Sequence, residues 1–286
     1  MTRKPCVSGQ FYEADMNQLN EQIKESFLSK RGPGTLPANK REKDILGVIC
    51  PHAGYAFSGA CAAWSYSSIA EAGFPDVFII IGPSHYGTEN PAATLQDFET
   101  PFGVVKTDAE FVNALAKKGN IIIDEDAHAS EHSIEVQLPF LQFANKDRMK
   151  DIKIAPITVS GKTDCKALGL DIKETLIDSG KKAVVIASSD FTHYGRNYGY
   201  IPFSSDIQKR MYELDEGAIK HIKNLDSGGF LNYCFETGAT ICGQIAIAVL
   251  LSAVKAKKAK LLQYYTSGDI TNDYRNAVGY AAIELE

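Results

Sequence analysis

Four short runs are apolar almost without interruption: "DILGVIC" (44–50), "DVFIIIG" (76–82), "KIAPITVS" (153–160) and "KAVVIASS" (182–189). Each is rich in Val and Ile and bounded by charged or turn-forming residues, which predicts a strand. A strand with one wet face alternates apolar and polar residues. One that is apolar throughout must be covered on both faces. The chain is therefore expected to form a central parallel or mixed sheet with helices on both sides. Helices are predicted at 59–72, 108–118 (opening on an acidic cap), 163–178, 205–224 and 241–257. "DFETPFGVVKTD" reads as a hairpin, and "KLLQYYTSG" and "AVGYAAIELE" read as paired late strands. Strands alternating with helices give an α/β fold of helix–sheet–helix layers.

No internal repeat interrupts this order. The linker-like stretch "SKRGPGTLPANKREK" (29–43) suits a surface loop within a domain, so residues 1–286 are expected to form a single domain. At 44% hydrophobic and 23% charged residues, the chain can bury a core without disulfide or metal staples. The net charge of -5 is spread without long like-sign blocks. The basic cluster "KAKKAK" near Lys255 reads as a solvated helix end, so no nucleic-acid partner is expected. "QIAIAVLLSAV" is too short to cross a bilayer, and "MTRKPCVSGQFYEAD" lacks the apolar stretch of a signal peptide. The six cysteines form no C-x-x-C pair and read as reduced thiols. A cytoplasmic protein without a membrane partner is expected.

The carboxyl ends of the apolar runs carry the candidate site. "CPHAGYAFSG", "IIIGPSHYG" and "VVIASSDFTHYG" each break from apolar residues into turn formers and a histidine. Open α/β sheets bind ligands outside the carboxyl ends of their strands. His52, His85 and His193 would then converge on one rim, with Gly54, Gly82, Gly87 and Gly195 allowing tight turns. A lone histidine is explained by a cap or a loop hydrogen bond. Three in the same context point to a shared site, and convergent neutral imidazoles suit a metal.

"HASEH" (128–132) fits the H-x-x-E-H pattern of some zinc peptidases, but it reads better as a polar loop. A helix signal begins near Ser133, with Ile134, Leu138 and Leu141 on one face and His132 at its start. Asp190 is either a turn former or an acceptor that orients a histidine or ligand. Cys242 precedes an apolar helix. A helix N-terminus would lower its pKa and allow it to bind metal, whereas a buried small hydrophobe is the plainer explanation.

Taken together, "PHAGYAFSG", "GPSHYG", "EHSIEVQLPF", "SSDFTHYG" and "ICGQIAI" resemble the Memo family, over nearly the whole chain from "GQFYEAD" to "GYAAIE". That family is similar in fold to LigB-type class III extradiol dioxygenases, with a metal cleft at the strand ends. The resemblance implies metal ligands at His52, His85 and Cys242. It implies an acid/base at His193, with His132 and Asp190 contacting the bound ligand. Memo proteins are associated with metal binding and redox chemistry and, in animals, with phosphotyrosine peptides. In the dioxygenases two histidines and a carboxylate hold the iron, so a thiol at Cys242 departs from their pattern. It makes the site softer, favouring iron or copper, with zinc as a further candidate, and it sets an oxidisable group beside any bound oxygen. Extradiol cleavage is therefore not carried over. Two functions stay open: a metal-dependent oxidoreductase with redox or oxygen-linked chemistry, and a non-catalytic module that uses the same cleft for a small molecule, a peptide or an anion.

Overall fold

The structure, a computed structural model, describes residues 2–286. Strands Lys153–Val159, Val77–Pro83, Ala183–Ser188 and Gly47–Cys50 lie side by side in that order, all parallel. Asn276–Leu285 continues the sheet antiparallel to Gly47–Cys50, with Ala259–Thr266 paired to it. At the other end, Gly103–Thr107, Asp97–Thr100 and Thr2–Arg3 adjoin Lys153–Val159 in turn. The fold is α/β, with a mixed sheet of twelve strands. The expected hairpin and the expected late pair are both present.

The continuous apolarity of the central strands has a direct cause. Ile79 and Ile81 enter one core with Leu168, Ile172 and Val249, while Phe78 and Ile80 enter another with Ile23, Phe27, Tyr66 and Phe140. Val185 and Ala187 separate from Val184 and Ile186 in the same way. Successive side chains of a strand face opposite sides, so two cores require apolar residues at every position. Each fully buried Ile contributes roughly 1.5–3 kcal/mol. Cys165–Ser179 and Gln244–Ala253 supply residues to the first core, and Met16–Leu28, Tyr55–Glu71 and Gln137–Ala144 to the second. Asp164 and Asp108 cap their helices as acceptors from backbone N–H groups.

Several boundaries differ from expectation. The second helix begins at Tyr55, directly after the Pro51–Gly54 turn, rather than at 59. The helix expected at 241–257 spans Gln244–Ala253, because Val254 turns extended. "KAKKAK" (255–260) therefore runs along the connection and into the first two residues of Ala259–Thr266 rather than on a helix end. The helix expected from Ser133 starts at Gln137. Met16–Leu28 and Ser227–Thr237, capped by Asp15 and Asp226, were not predicted. No helix among the described residues is long and apolar enough to cross a membrane.

Candidate metal centre

The parallel strands end on one edge and deliver their trailing residues together. His52 stands two residues beyond Cys50, His85 two beyond Pro83, and Asp190 two beyond Ser188. His193 opens a short strand that pairs with the start of Asn276–Leu285, His193 opposite Val278. Glu131 and His132 arrive on a turn laid across the end of the Val77–Pro83 strand. A Cβ on Gly82 would collide with the Ser133 hydroxyl, so glycine there lets the turn close. Ser133 Oγ then donates to the Pro83 carbonyl at 3.0 Å.

The hydrogen bonds around His52 fix its tautomer. Ser188 Oγ donates its one proton to the Ser133 carbonyl at 2.7 Å and accepts from Gln137 Nε2 at 2.7 Å. His52 Nδ1, 2.9 Å from the same oxygen, must therefore be the donor. Nε2 keeps a lone pair, 3.2 Å from Cys242 Sγ and 4.0 Å from Asp190 Oδ2. Burial, and after it the neighbouring His85 and His132, holds the His52 pKa well below its ordinary value. A neutral imidazole with a free Nε2 is the form that binds metals.

Glu131 grips His85 twice. Its carboxylate accepts from the His85 backbone N–H at 2.7 Å and pairs with Nδ1 at 2.9 Å. Burial opposes charge on both partners, but their pairing prevails. The His85 pKa rises, and Glu131 falls to about 2 with further help from the Ser133 N–H. A carboxylate on one ring nitrogen leaves the other pointing away and more basic, as around many metal-bound histidines. His132 stacks on His85 with ring centroids 4.5 Å apart, and burial lowers its pKa.

On the other side of His52, Asp190 Oδ1 accepts from the backbone N–H groups of His52 and Ala53 at 2.9 and 3.3 Å. Asp190 thus holds the turn that carries His52. Its own N–H donates to Cys242 Sγ at 3.3 Å. Burial raises the pKa of Asp190, and burial with the nearby Asp190 raises Cys242 well above the usual thiol range. Of the two readings of Cys242, the one with a pKa lowered by the helix N-terminus does not hold: enclosure beside a carboxylate outweighs the adjacent backbone donors.

His193 Nδ1 faces two acceptors, the carbonyls of Phe191 at 2.9 Å and Thr240 at 3.0 Å. It therefore carries the proton, leaving Nε2 as an acceptor. Behind it, Thr192 bonds Asp215 through N–H and Oγ1 at 3.2 and 2.5 Å, and Tyr264 donates to the same carboxylate at 2.6 Å. Burial lifts the Asp215 pKa to about 6.

His52, His85, His132, His193 and Asp190 line one cleft of about 560 Å³, with Phe11, Phe57, Tyr198 and Tyr280 in its wall; Cys242, expected in the same cleft, is not among its lining residues. Two sets of donor atoms lie within 4.8 Å of one another: His52, His85 and His132, and His52, Asp190 and Cys242. His52 is common to both, and His85 and Cys242 fall one in each. With metal–ligand bonds of about 2.0–2.3 Å, donors a few ångströms apart can share one ion. The residues therefore fit a metal, and the imidazole, carboxylate and thiol donors suit a transition metal. His193 lies in neither set.

The H-x-x-E-H pattern does not assemble as a ligand pair. His128 is buried, bonds the Ala92 carbonyl at 3.1 Å and has its pKa lowered by burial to about 4. Glu131 within that pattern, and Ser188 and Gln137 outside it, are site residues that sequence reasoning did not assign. All three sit in stretches already singled out, Glu131 and Gln137 in "EHSIEVQLPF" and Ser188 at the start of "SSDFTHYG", but only the neighbouring histidine and aspartate drew the assignment there.

A family model described as "Memo-like protein" matches residues 3–284. The chain is 39% identical over 290 residues to a MEMO1 family protein of Methanopyrus kandleri, covering 99% of this chain and 98% of that one. It is also 39% identical over 289 residues to one of Pyrobaculum aerophilum, covering 98% of each. A third, from Pyrococcus horikoshii, is 36% identical over the full length of both chains.

Proposed function

The chain belongs to the Memo-like protein family, and on that footing we propose that it is a metal-binding protein whose cleft carries redox or oxygen-linked chemistry on a small substrate. The observation that carries this reading is the state of His52: neutral, with Nδ1 donating to Ser188 and the Nε2 lone pair 3.2 Å from Cys242 Sγ, where two groups of candidate ligands meet. A residue whose only task was to cap a loop would not need both partners.

In this reading His52 anchors the ion, iron or copper, with His85 and His132 on one side and Asp190 and Cys242 on the other; the expected trio of His52, His85 and Cys242 shares no single donor set and would form only if the two sides draw together on binding. The ion, when bound, supplies the redox couple and a place for oxygen to bind. Glu131 keeps the His85 ring oriented, and Asp190 keeps the His52 turn in place. His193, with Nδ1 committed to two carbonyls, takes a proton at Nε2 and acts as the base. The aromatic rim of Phe11, Phe57, Tyr198 and Tyr280 excludes water from one side of the cleft and favours a partly apolar substrate.

The deciding experiment is metal content of protein purified anaerobically, and then turnover of a reductant in air after loading with iron or copper. His193→Gln is expected to retain the metal and slow the turnover. A loaded protein that is inert towards oxygen, peroxide and catechols, and whose apo form binds a peptide or small anion tightly, would replace this reading with that of a non-catalytic binding module.

A further inference from the structure

The turn that carries Glu131 and His132 is neither helix nor strand through residue 136; its own bonds, such as Val136 N–H to the His132 carbonyl at 3.0 Å, close it locally, and contacts from outside anchor it against the strand ends. The structure assigns that task to the N-terminal segment. We propose that Arg3 is a positioning residue that holds this turn, and through it sets the orientation of His85 and His132; the proposal rests on the metal-binding reading above.

The Arg3 guanidinium donates Nε to the His128 carbonyl at 2.6 Å and Nη2 to the Glu131 carbonyl at 2.7 Å. Nη1 pairs with Glu135 Oε2 at 2.7 Å. One planar fork thus ties three points of the 128–135 stretch at once, which a lysine could not do. Glu131 is held at both ends: its carbonyl by Arg3, its carboxylate by His85. Glu135 in turn accepts from the N–H groups of Cys6 and Val7 at 2.8 and 3.1 Å and from the Tyr12 hydroxyl at 2.8 Å. The same segment then presents Phe11 edge-on to His132, with ring centroids 4.8 Å apart, as part of the cleft wall.

Arg3 and Glu135 are both buried. A buried ion pair contributes little net stability compared with apolar side chains of the same volume, so its presence is better explained by the arrangement it specifies. Here the arrangement specified is the turn bearing two candidate site residues.

The test compares wild type, the double variant Arg3→Met/Glu135→Gln, and Arg3→Lys. Two readouts are used: the imidazole ¹⁵N signals of the metal-free protein, and cobalt(II) affinity with its absorption spectrum. The double variant leaves no buried charge unpaired. Its His85 and His132 signals are expected to move towards those of freely exchanging tautomers, while the distant His221 stays unchanged. Its cobalt(II) affinity is expected to fall by about 10- to 100-fold, the scale of changes around a metal's ligands. Lysine can reach Glu135 but cannot bond all three points, so Arg3→Lys should recover the melting temperature and keep the shifted signals. Wild-type His85 signals in either folded variant would overturn the proposal. If wild type binds no cobalt(II), the metal reading fails, and the imidazole signals alone decide whether Arg3 positions the turn.

Discussion

On one side of His52, Glu131 holds a full negative charge and His85 answers it; on the other, Asp190 and Cys242 are pushed towards their neutral forms. Both sides are enclosed, and burial acts on each in the same sense. The difference lies in the partner. Glu131 receives an imidazole and two backbone N–H groups, whereas the thiol at Cys242 has a carboxylate as its neighbour. Asp190 also accepts two backbone N–H bonds but has no imidazole hydrogen-bonded to it as Glu131 has, and there burial prevails. A cation entering between the sides would meet a carboxylate at Glu131 already satisfied by its donors, and on the other side a thiol at Cys242 whose proton must leave before it can bind. Uptake by the Cys242 side should therefore strengthen as pH rises.

The largest effect is expected where the two sides meet. His52→Ala removes a donor from both sets, and its loss of metal affinity, read by competition with a chromogenic chelator, should go well beyond the roughly 100-fold of an outer-shell change. Retained binding would mean that one side suffices alone. Next, Cys242→Ser should weaken a soft ion such as copper(I) more than His193→Ala does, because His193 lies outside both donor sets. Equal losses in the two variants, with folding intact, would erase the distinction drawn between ligand and base.

A smaller change is expected from Glu131→Gln. It keeps the shape of the site but removes the charge that orients His85, so affinity should fall by about 10- to 100-fold with the melting curve of the metal-free protein less affected. Asp190→Asn should sit at the mild end of the same range.

The smallest effect concerns Asp215, behind His193, and needs no metal. Its folded pKa, about 6, lies above its ordinary value, so the native state holds the proton more tightly than the unfolded chain. Its contribution is fully present below about pH 4 and is lost as pH rises through 6. Urea unfolding should show wild type losing about 1 kcal/mol between pH 5 and pH 7 relative to Asp215→Asn. Glu131 predicts the opposite slope, with stability present above its ordinary value of 4.5 and lost as pH falls towards 2.

The central strands were legible because burial on both faces leaves a mark in composition: Phe78, Ile79, Ile80 and Ile81 have no other reason to stand in a row. The strand-end histidines were legible for a related reason, since parallel strands share a direction. Met16–Leu28 was missed although Leu19, Ile23 and Phe27 form a narrow stripe at helical spacing and Asp15 caps it. Apart from the exposed Met16 and Leu28 its other positions are polar, which hides a helix that touches the core along one line. The role of Glu131 was hidden for a different reason. A carboxylate's task depends on what faces it across space, and nothing within its own motif announces His85. Ser188 and Gln137 are more hidden still, since a serine at a strand end and a glutamine at a helix start have many ordinary uses.

The pairing of Asn276–Leu285 with Gly47–Cys50 also has a consequence for how the cleft comes into being. Ile49 lies against Ile283, and the opposite end of that late strand supplies Asn276, Val278 and Tyr280 to the cleft wall. A nascent chain that has made the His52 turn, the His85 turn and even Asp190 still lacks the neighbour that supports the first of them. Contacts between such distant parts of a chain form slowly, because a long loop must close before they give anything back. During synthesis the imidazoles and thiols therefore exist for a time as scattered, solvent-facing groups. On the metal-binding reading, a complete cleft would therefore wait for the strand Asn276–Leu285 to pair, after all of the donor residues have been made.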